Sequence, residues 1–172
     1  MNSLETKRLL LRAFSMEDAP FILEILNDES FIRNIADRGV RDEEAARIYL
    51  TRGPLHSYQE HGFGMYLVVE KQNGAPLGMC GLVKRSGLDD IDIGFAFLPP
   101  HWGKGYALEA AQAVLAEAKN TLRLKRLVGI THPANQSSIR VLEKLGMKLE
   151  GTVTLPGEVR EILLYGMDLS SK

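Results

Sequence analysis

Gly103 and Gly105 flank Lys104 directly ahead of an alanine-rich stretch, in Pro-Pro-His-Trp-Gly-Lys-Gly-Tyr-Ala-Leu-Glu at residues 99–109. A glycine-rich turn feeding a helix N-terminus is an anion site, because free backbone N–H groups point outward and the helix dipole favours negative charge. Glycine removes the side chains that would hold a phosphate off the backbone. The Lys104 ammonium adds charge. The same residues also suit an ordinary left-handed loop between a strand and a helix. Two familiar phosphate motifs fail on spacing. A Walker loop requires Ser or Thr after Gly-Lys, where Gly105 stands. A dinucleotide fingerprint requires Gly or Ala where Leu108 stands, and an acid further on, where the chain has Leu124, Lys125 and Arg126.

Other chemically capable residues are less pointed. Asp89, Asp90 and Asp92 suit a solvated hairpin end. Asn135, three residues ahead of Ser138, suits the N-cap of a helix. His56, His61, His101 and His132 show no metal-ligand spacing, so no metal site is expected. Cys80 sits in Gly-Met-Cys-Gly-Leu-Val and reads as a small buried hydrophobe rather than a nucleophile.

The elements that must position these residues follow from periodicity. Residues 7–14 form a strand candidate, and Ser15-Met16-Glu17-Asp18 is a capping-box helix start. Phe21, Ile22, Ile25 and Leu26 recur at helical spacing. Asp42 caps a second helix, which Gly53-Pro54 should break or kink, resuming before His61-Gly62. Residues 65–70 and 76–84 read as a hairpin, and 91–98 as a strand stopped by Pro99-Pro100. A helix over 104–119 follows, then a strand over 126–131. A helix over 135–145 ends at Gly146. Strands over 148–153 and 160–168 close the chain. The expected fold is α/β (α+β by some schemes), with a mixed, mostly antiparallel sheet of about seven strands and helices on both faces.

The chain has 172 residues, which favours one domain over 1–172 with a core that needs no disulfide or metal. A formal net charge of −1 gives no support to nucleic-acid binding. The lone Cys80 excludes an intramolecular disulfide and fits a reducing compartment. No apolar stretch approaches the roughly 20 residues of a membrane span. A cytoplasmic protein without a membrane partner is expected, as a monomer or homodimer.

The run Asp92-Ile93-Gly94-Phe95-Ala96-Phe97-Leu98-Pro99-Pro100-His101-Trp102-Gly103-Lys104-Gly105-Tyr106-Ala107 resembles the acetyl-CoA motif of the GNAT N-acetyltransferases. Within that superfamily it is similar to the branch that acetylates ribosomal-protein N-termini. Trp102 replaces the usual Arg or Gln of the broad pattern, while Gly105 and Ala107 keep the rest. Asn135-Gln136-Ser137-Ser138, followed by Val141-Leu142-Glu143-Lys144-Leu145-Gly146, resembles the second CoA-contacting segment. The opening Arg8-Leu9-Leu10-Leu11-Arg12 and the Leu77-Gly78-x-x-Gly81 hairpin also fit.

The resemblance implies that Gly103, Lys104, Gly105, Tyr106 and Ala107 wrap the CoA pyrophosphate. It implies two splayed central strands, 91–98 and 126–131, with the pantetheine arm in the gap. The main-chain groups of Phe95 and Phe97 would pair with it as with an added strand. Trp102 would shield the cofactor or anchor the loop in the core. Asn135 would hold a pantetheine amide, compatibly with capping. Arg140 and Lys144 suit the 3′-phosphate or merely the helix C-terminus.

Acyl transfer to an amine needs a neutral amine, stabilisation of the developing oxyanion, and a proton for the thiolate. From reference pKa values, about 14% of an α-amino group is neutral at pH 7, against roughly 0.04% of a lysine-like amine. By the resemblance, Asp92 stands where relatives often carry a Glu that receives the amine proton. Aspartate is one methylene shorter, which favours a water relay. The acidic cluster can alternatively attract a cationic substrate without taking its proton. Ser138 would lie near the sulfur as its proton donor, or serve only the helix start. Tyr106 and Tyr165 are not aligned with the tyrosine acid of many relatives. The expected activity is acetyl transfer from acetyl-CoA to a primary amine. A CoA-binding sensor without catalysis is the main alternative, and a nucleotide-binding protein a lesser one.

Overall fold

The computed structural model describes residues 1–170. Among them, β1 (Leu4–Glu5), β2 (Leu9–Ala13), β3 (Met65–Glu70), β4 (Pro76–Val83), β5 (Asp92–Phe97), β6 (Arg126–Thr131), β7 (Lys148–Val153) and β8 (Ile162–Asp168) form one sheet. Its order is β1-β2-β3-β4-β5-β6-β8-β7. The strand beyond the expected seven is β1, which pairs Leu4 with Leu11 and Glu5 with Leu10. Two residues carry no periodicity to read. Every neighbouring pair is antiparallel except β5 with β6.

Between β2 and β3 lie α1 (Ala19–Leu26), α2 (Glu29–Asn34), α3 (Glu43–Leu50) and α4 (His56–His61). The capping box forms as read: the Asp18 carboxylate accepts from the Ser15 N–H at 2.9 Å. It also takes two bonds from the Arg12 guanidinium, each 2.9 Å. Burial opposes the charge on Asp18, yet Arg12 and Ser15 together hold its carboxyl below the usual carboxylate range. Asp42 caps α3 by accepting from the Ala45 N–H at 2.8 Å. The short α2, capped by Asp28, has too few residues to show helical periodicity. At Gly53-Pro54 the chain does not break. A π-helical turn over Thr51–Leu55 carries it into α4. The wider turn absorbs the missing proline N–H.

Alternation along β3 and β4 sends side chains to two cores. Tyr66, Val68, Cys80 and Leu82 pack with α5 (Tyr106–Ala116) and α6 (Gln136–Lys144) through Ala110, Ala111, Val114 and Leu142. Leu67 and Met79 pack with α1 and α3 through Ile22, Ile25, Ala46 and Leu50. Helices therefore cover both faces. Burial pushes the Cys80 thiol well above its ordinary range, which suits a core residue rather than a nucleophile.

The feature that builds a site is the contact of β5 with β6. These parallel strands pair at Asp92 and Val128 alone, where the Val128 N–H donates to the Ile91 carbonyl at 3.1 Å. Beyond that point they part. A 3₁₀ turn over Pro99–His101 ends β5, as the two prolines predict.

Candidate active site

The gap between the parting strands opens into a groove of about 940 Å³. Hydrogen-bond direction alternates along a strand, so the bond at Ile91 turns the main-chain groups of Ile93, Phe95 and Phe97 toward β6 as well. Ladder partners run out after Val128, leaving the groups of Phe95 and Phe97 facing the groove. Ile130 faces them from β6 by the same alternation.

Trp102 differs from the expected core anchor. It is 51% exposed, and its indole N–H donates to the Phe97 carbonyl at 2.7 Å. The loop is therefore tied to the end of β5 by one hydrogen bond rather than by burial. That bond takes one of the two lone pairs of the Phe97 carbonyl, while the Phe97 N–H is untouched by it.

Gly103 and Gly105 both adopt left-handed backbone, with φ of 75° and 81°, which glycine enters without steric penalty. Gly105 is the N-cap of α5, and the Glu109 N–H donates to its carbonyl at 3.1 Å. Helix geometry leaves the N–H groups of Tyr106, Ala107 and Leu108 without an intrahelical acceptor. Gly103, Gly105, Tyr106 and Ala107 line the groove, whereas Lys104 does not. The start of α5 is fixed from the N-terminal strand. The Arg8 guanidinium lies 4.4 Å from the Tyr106 ring centroid, and its Nε is 2.7 Å from Glu109 Oε1. The Arg8 N–H and the Thr6 hydroxyl both donate to Glu109 Oε2, at 2.9 and 2.5 Å.

Asp92 is not at a solvated hairpin end. It is fully buried at the start of β5, yet lines the groove. Oδ2 accepts from Arg85 Nε at 3.2 Å, and Oδ1 is buried with no hydrogen-bond partner among the described residues. Burial pushes its pKa up, against the opposing pull of Arg85. Asp90 pairs with Arg126 at 3.3 Å. Two of the three acids of the cluster thus face arginines, while Asp89 is exposed and forms no ion pair among the described residues.

Asn135 caps α6, its Oδ1 accepting from the Ser138 N–H at 3.3 Å. Both residues line the groove, as do Arg140 and Lys144. Ser138 is half-buried, and its hydroxyl makes no hydrogen bond among the described residues. Tyr165 is buried in the sheet away from the groove lining. Among the groove residues that escaped the sequence reading are Arg85, Tyr49 and Ile130. Arg85 and Tyr49 lie in stretches without a motif, and Ile130 contributes main chain, which its side chain does not signal.

A splayed parallel pair beside a glycine turn and a helix N-terminus is the arrangement that the resemblance of residues 92–107 implies. The acetyltransferase (GNAT) domain family matches residues 8–148, and the chain belongs to that family. The uncharacterised N-acetyltransferase YnaD of Bacillus subtilis is 32% identical over 146 residues, covering 85% of this chain and 82% of that protein. The crystal structure of a GNAT-family acetyltransferase from Bacillus anthracis superposes with a TM-score of 0.81 at 28% identity, covering 99% of this chain and all of that one. RimL, a ribosomal L7/L12 α-N-protein acetyltransferase solved with coenzyme A, shares the fold, with a TM-score of 0.84 at 18% identity and coverage of 99% and 100%.

Proposed function

We propose that the chain, acting as one domain over residues 1–172, transfers the acetyl group of acetyl-CoA to a primary amine by direct attack. The observation that carries this reading is Asp92: a buried carboxylate with one unpartnered oxygen, lining the groove where β5 and β6 separate.

The residues present fit the co-substrate. The N–H groups at the start of α5 and the two glycines offer a pyrophosphate cradle. Lys104, outside the groove lining, adds only long-range charge to it. The N–H and carbonyl of Phe95 and the N–H of Phe97 receive an extended amide chain as a further strand. Asn135 keeps its amide group beside that path, and Arg140 and Lys144 supply charge for a phosphate. Acetyl-CoA supplies the thioester whose C–S bond breaks as the N–C bond to the amine forms.

Asp92 takes the amine proton, through a water where the short side chain does not reach. Its raised pKa makes it a stronger base than an exposed carboxylate, closer to the operating pH. Ser138 passes a proton to the departing sulfur and recovers one from solvent. Thiol release from acetyl-CoA in the presence of primary amines, such as N-terminal peptides and small amines, tests the reading. CoA binding without turnover on any amine would make the protein a sensor instead.

A further inference from the structure

The wall of the groove beyond Asp92 is formed by α2, α3, the π turn, the end of β4 and the loop before β8. Its cations outnumber its acids once existing pairs are removed. Asp28 is committed to capping α2, and Asp92 to Arg85. Arg33 pairs with Glu29 at 3.7 Å, and Arg160 contacts His132 at 3.0 Å. Arg38, Arg52 and Lys84 form no ion pair among the described residues, against one unpaired acid in the lining, Glu158.

Tyr49 lines this wall. Its side chain is half-buried, and its phenol makes no hydrogen bond among the described residues. Arg38 and Arg85 line the same groove as Tyr49; burial pushes the Tyr49 pKa up, and the two guanidiniums oppose that rise. Apolar walls from Phe31, Met65 and Met79 strengthen charge interactions there.

We propose that the amine acceptor also carries a carboxylate, bound by Arg38 and the Tyr49 hydroxyl while its amino group faces Asp92. The proposal rests on the acetyl-transfer reading above and adds the acceptor's chemical class. A guanidinium offers paired donors to a carboxylate, and a free phenol offers one more. Arg85 turns its charge on Asp92 and is not counted toward carboxylate binding. A polyamine or aminoglycoside would set like charges against Arg38, Arg52 and Lys84.

The test uses N-acetylated products, which lack the titrating amine and so isolate the carboxylate. Binding to the CoA-loaded protein is measured for an N-acetyl amino acid, its amide, an N-acetylated acidic peptide with an amidated C-terminus, and N-acetylspermidine. The carboxylate-bearing ligands are expected to bind roughly tenfold to a hundredfold tighter than the neutral amide, the scale of a charge-assisted hydrogen bond. The better of the amino acid and the peptide identifies the source of the carboxylate. Arg38→Gln should reduce the ratio to about onefold, and Arg38→Lys should restore part of it. Equal binding of acid and amide, or tighter binding of N-acetylspermidine, overturns the proposal. If the preference holds while no amine gives thiol release, the transfer reading falls and the recognition stands. If neutral amines and polycations turn over as fast as acids, recognition falls and transfer stands.

Discussion

Asp92 gives one carboxylate oxygen to Arg85, at 3.2 Å from Nε, and keeps the other buried without a partner. The two halves of that arrangement oppose each other. Burial disfavours the charged form, and Arg85 only partly restores it, so the carboxyl sits above its ordinary value of 3.8. An unpaired oxygen in such a place is unfavourable for folding. It is useful where a proton must be received.

The first prediction concerns turnover. Asp92→Asn should lower kcat and kcat/KM together at pH 7, by roughly 10²–10⁴ if the carboxylate is the base. Activity should recover partly at high pH, where more amine is already neutral. In the wild type, activity should fall as pH drops through the raised pKa, so the acid limb lies above 3.8. A change confined to KM would remove Asp92 as the proton acceptor.

The same substitution should raise stability. A carboxyl whose folded pKa exceeds its unfolded one binds more protons in the native state, so stability declines as pH rises between the two values. Asn removes that decline. Thermal melting of Asp92→Asn at pH 7 should exceed that of the wild type, with the gap narrowing toward pH 4. A lower melting temperature at pH 7 would show that the Arg85 pair is worth more than burial takes away.

The glycine loop yields a prediction with two separable parts. Gly105 has φ of 81°, and a Cβ there would meet the Arg8 guanidinium at 3.4 Å. Gly105→Val should therefore lose roughly 1–3 kcal/mol of stability from backbone strain as well as CoA affinity. Gly105→Asn, which enters the left-handed region more readily, separates the two. It should melt close to wild type yet bind CoA on the order of tenfold more weakly, the scale of one charge-assisted bond lost. Calorimetric binding by the Asn variant at wild-type affinity would show that the loop needs glycine for its turn alone.

Much of this site was legible because its signals are local. Two glycines before an alanine-rich run specify a turn and a helix start, and Asn three places before Ser138 specifies a cap. What escaped depends on contacts between distant segments. Asp92 reads as solvated beside Asp89 and Asp90, and only the interior position of β5 buries it. Arg85 and Tyr49 reach Asp92's end of the groove through a hairpin and a helical layer that carry no motif. Trp102 is open to two roles in the sequence, cofactor shield or core anchor of the loop, and its 51% exposure with the indole N–H on the Phe97 carbonyl speaks against the buried anchor. The π turn at Pro54 is also invisible to a pattern that treats proline as a stop.

Acid sensitivity should trace to the Arg12–Asp18 pair at the start of α1. Asp18 has its pKa held below 3.8 despite burial, so its contribution is present above that value and lost as pH falls through the folded value. Asp18→Asn should lose about 1 kcal/mol at pH 7, the usual scale for a helix cap. Denaturation at decreasing pH should close the difference between variant and wild type below 3.8. A constant difference across that range would assign the loss to packing rather than charge.

Ser138 offers the sharpest separation of chemistry from architecture. Its backbone N–H serves the helix cap, donating to Asn135 Oδ1 at 3.3 Å, while its hydroxyl makes no bond among the described residues. The cap thus uses an atom that Ser138→Ala retains. A purely structural role for the hydroxyl predicts almost no change in melting temperature and none in kcat. A thiolate leaving group has a cysteine-like pKa near 8.5, so protonating it matters less than activating the amine. The variant should accordingly lose on the order of tenfold in kcat, at or below the low end of general acid–base effects. CoA affinity should change little, since Asn135 and the loop backbone are untouched. Turnover equal to wild type would leave Ser138 as a helix residue and assign the sulfur's proton to solvent.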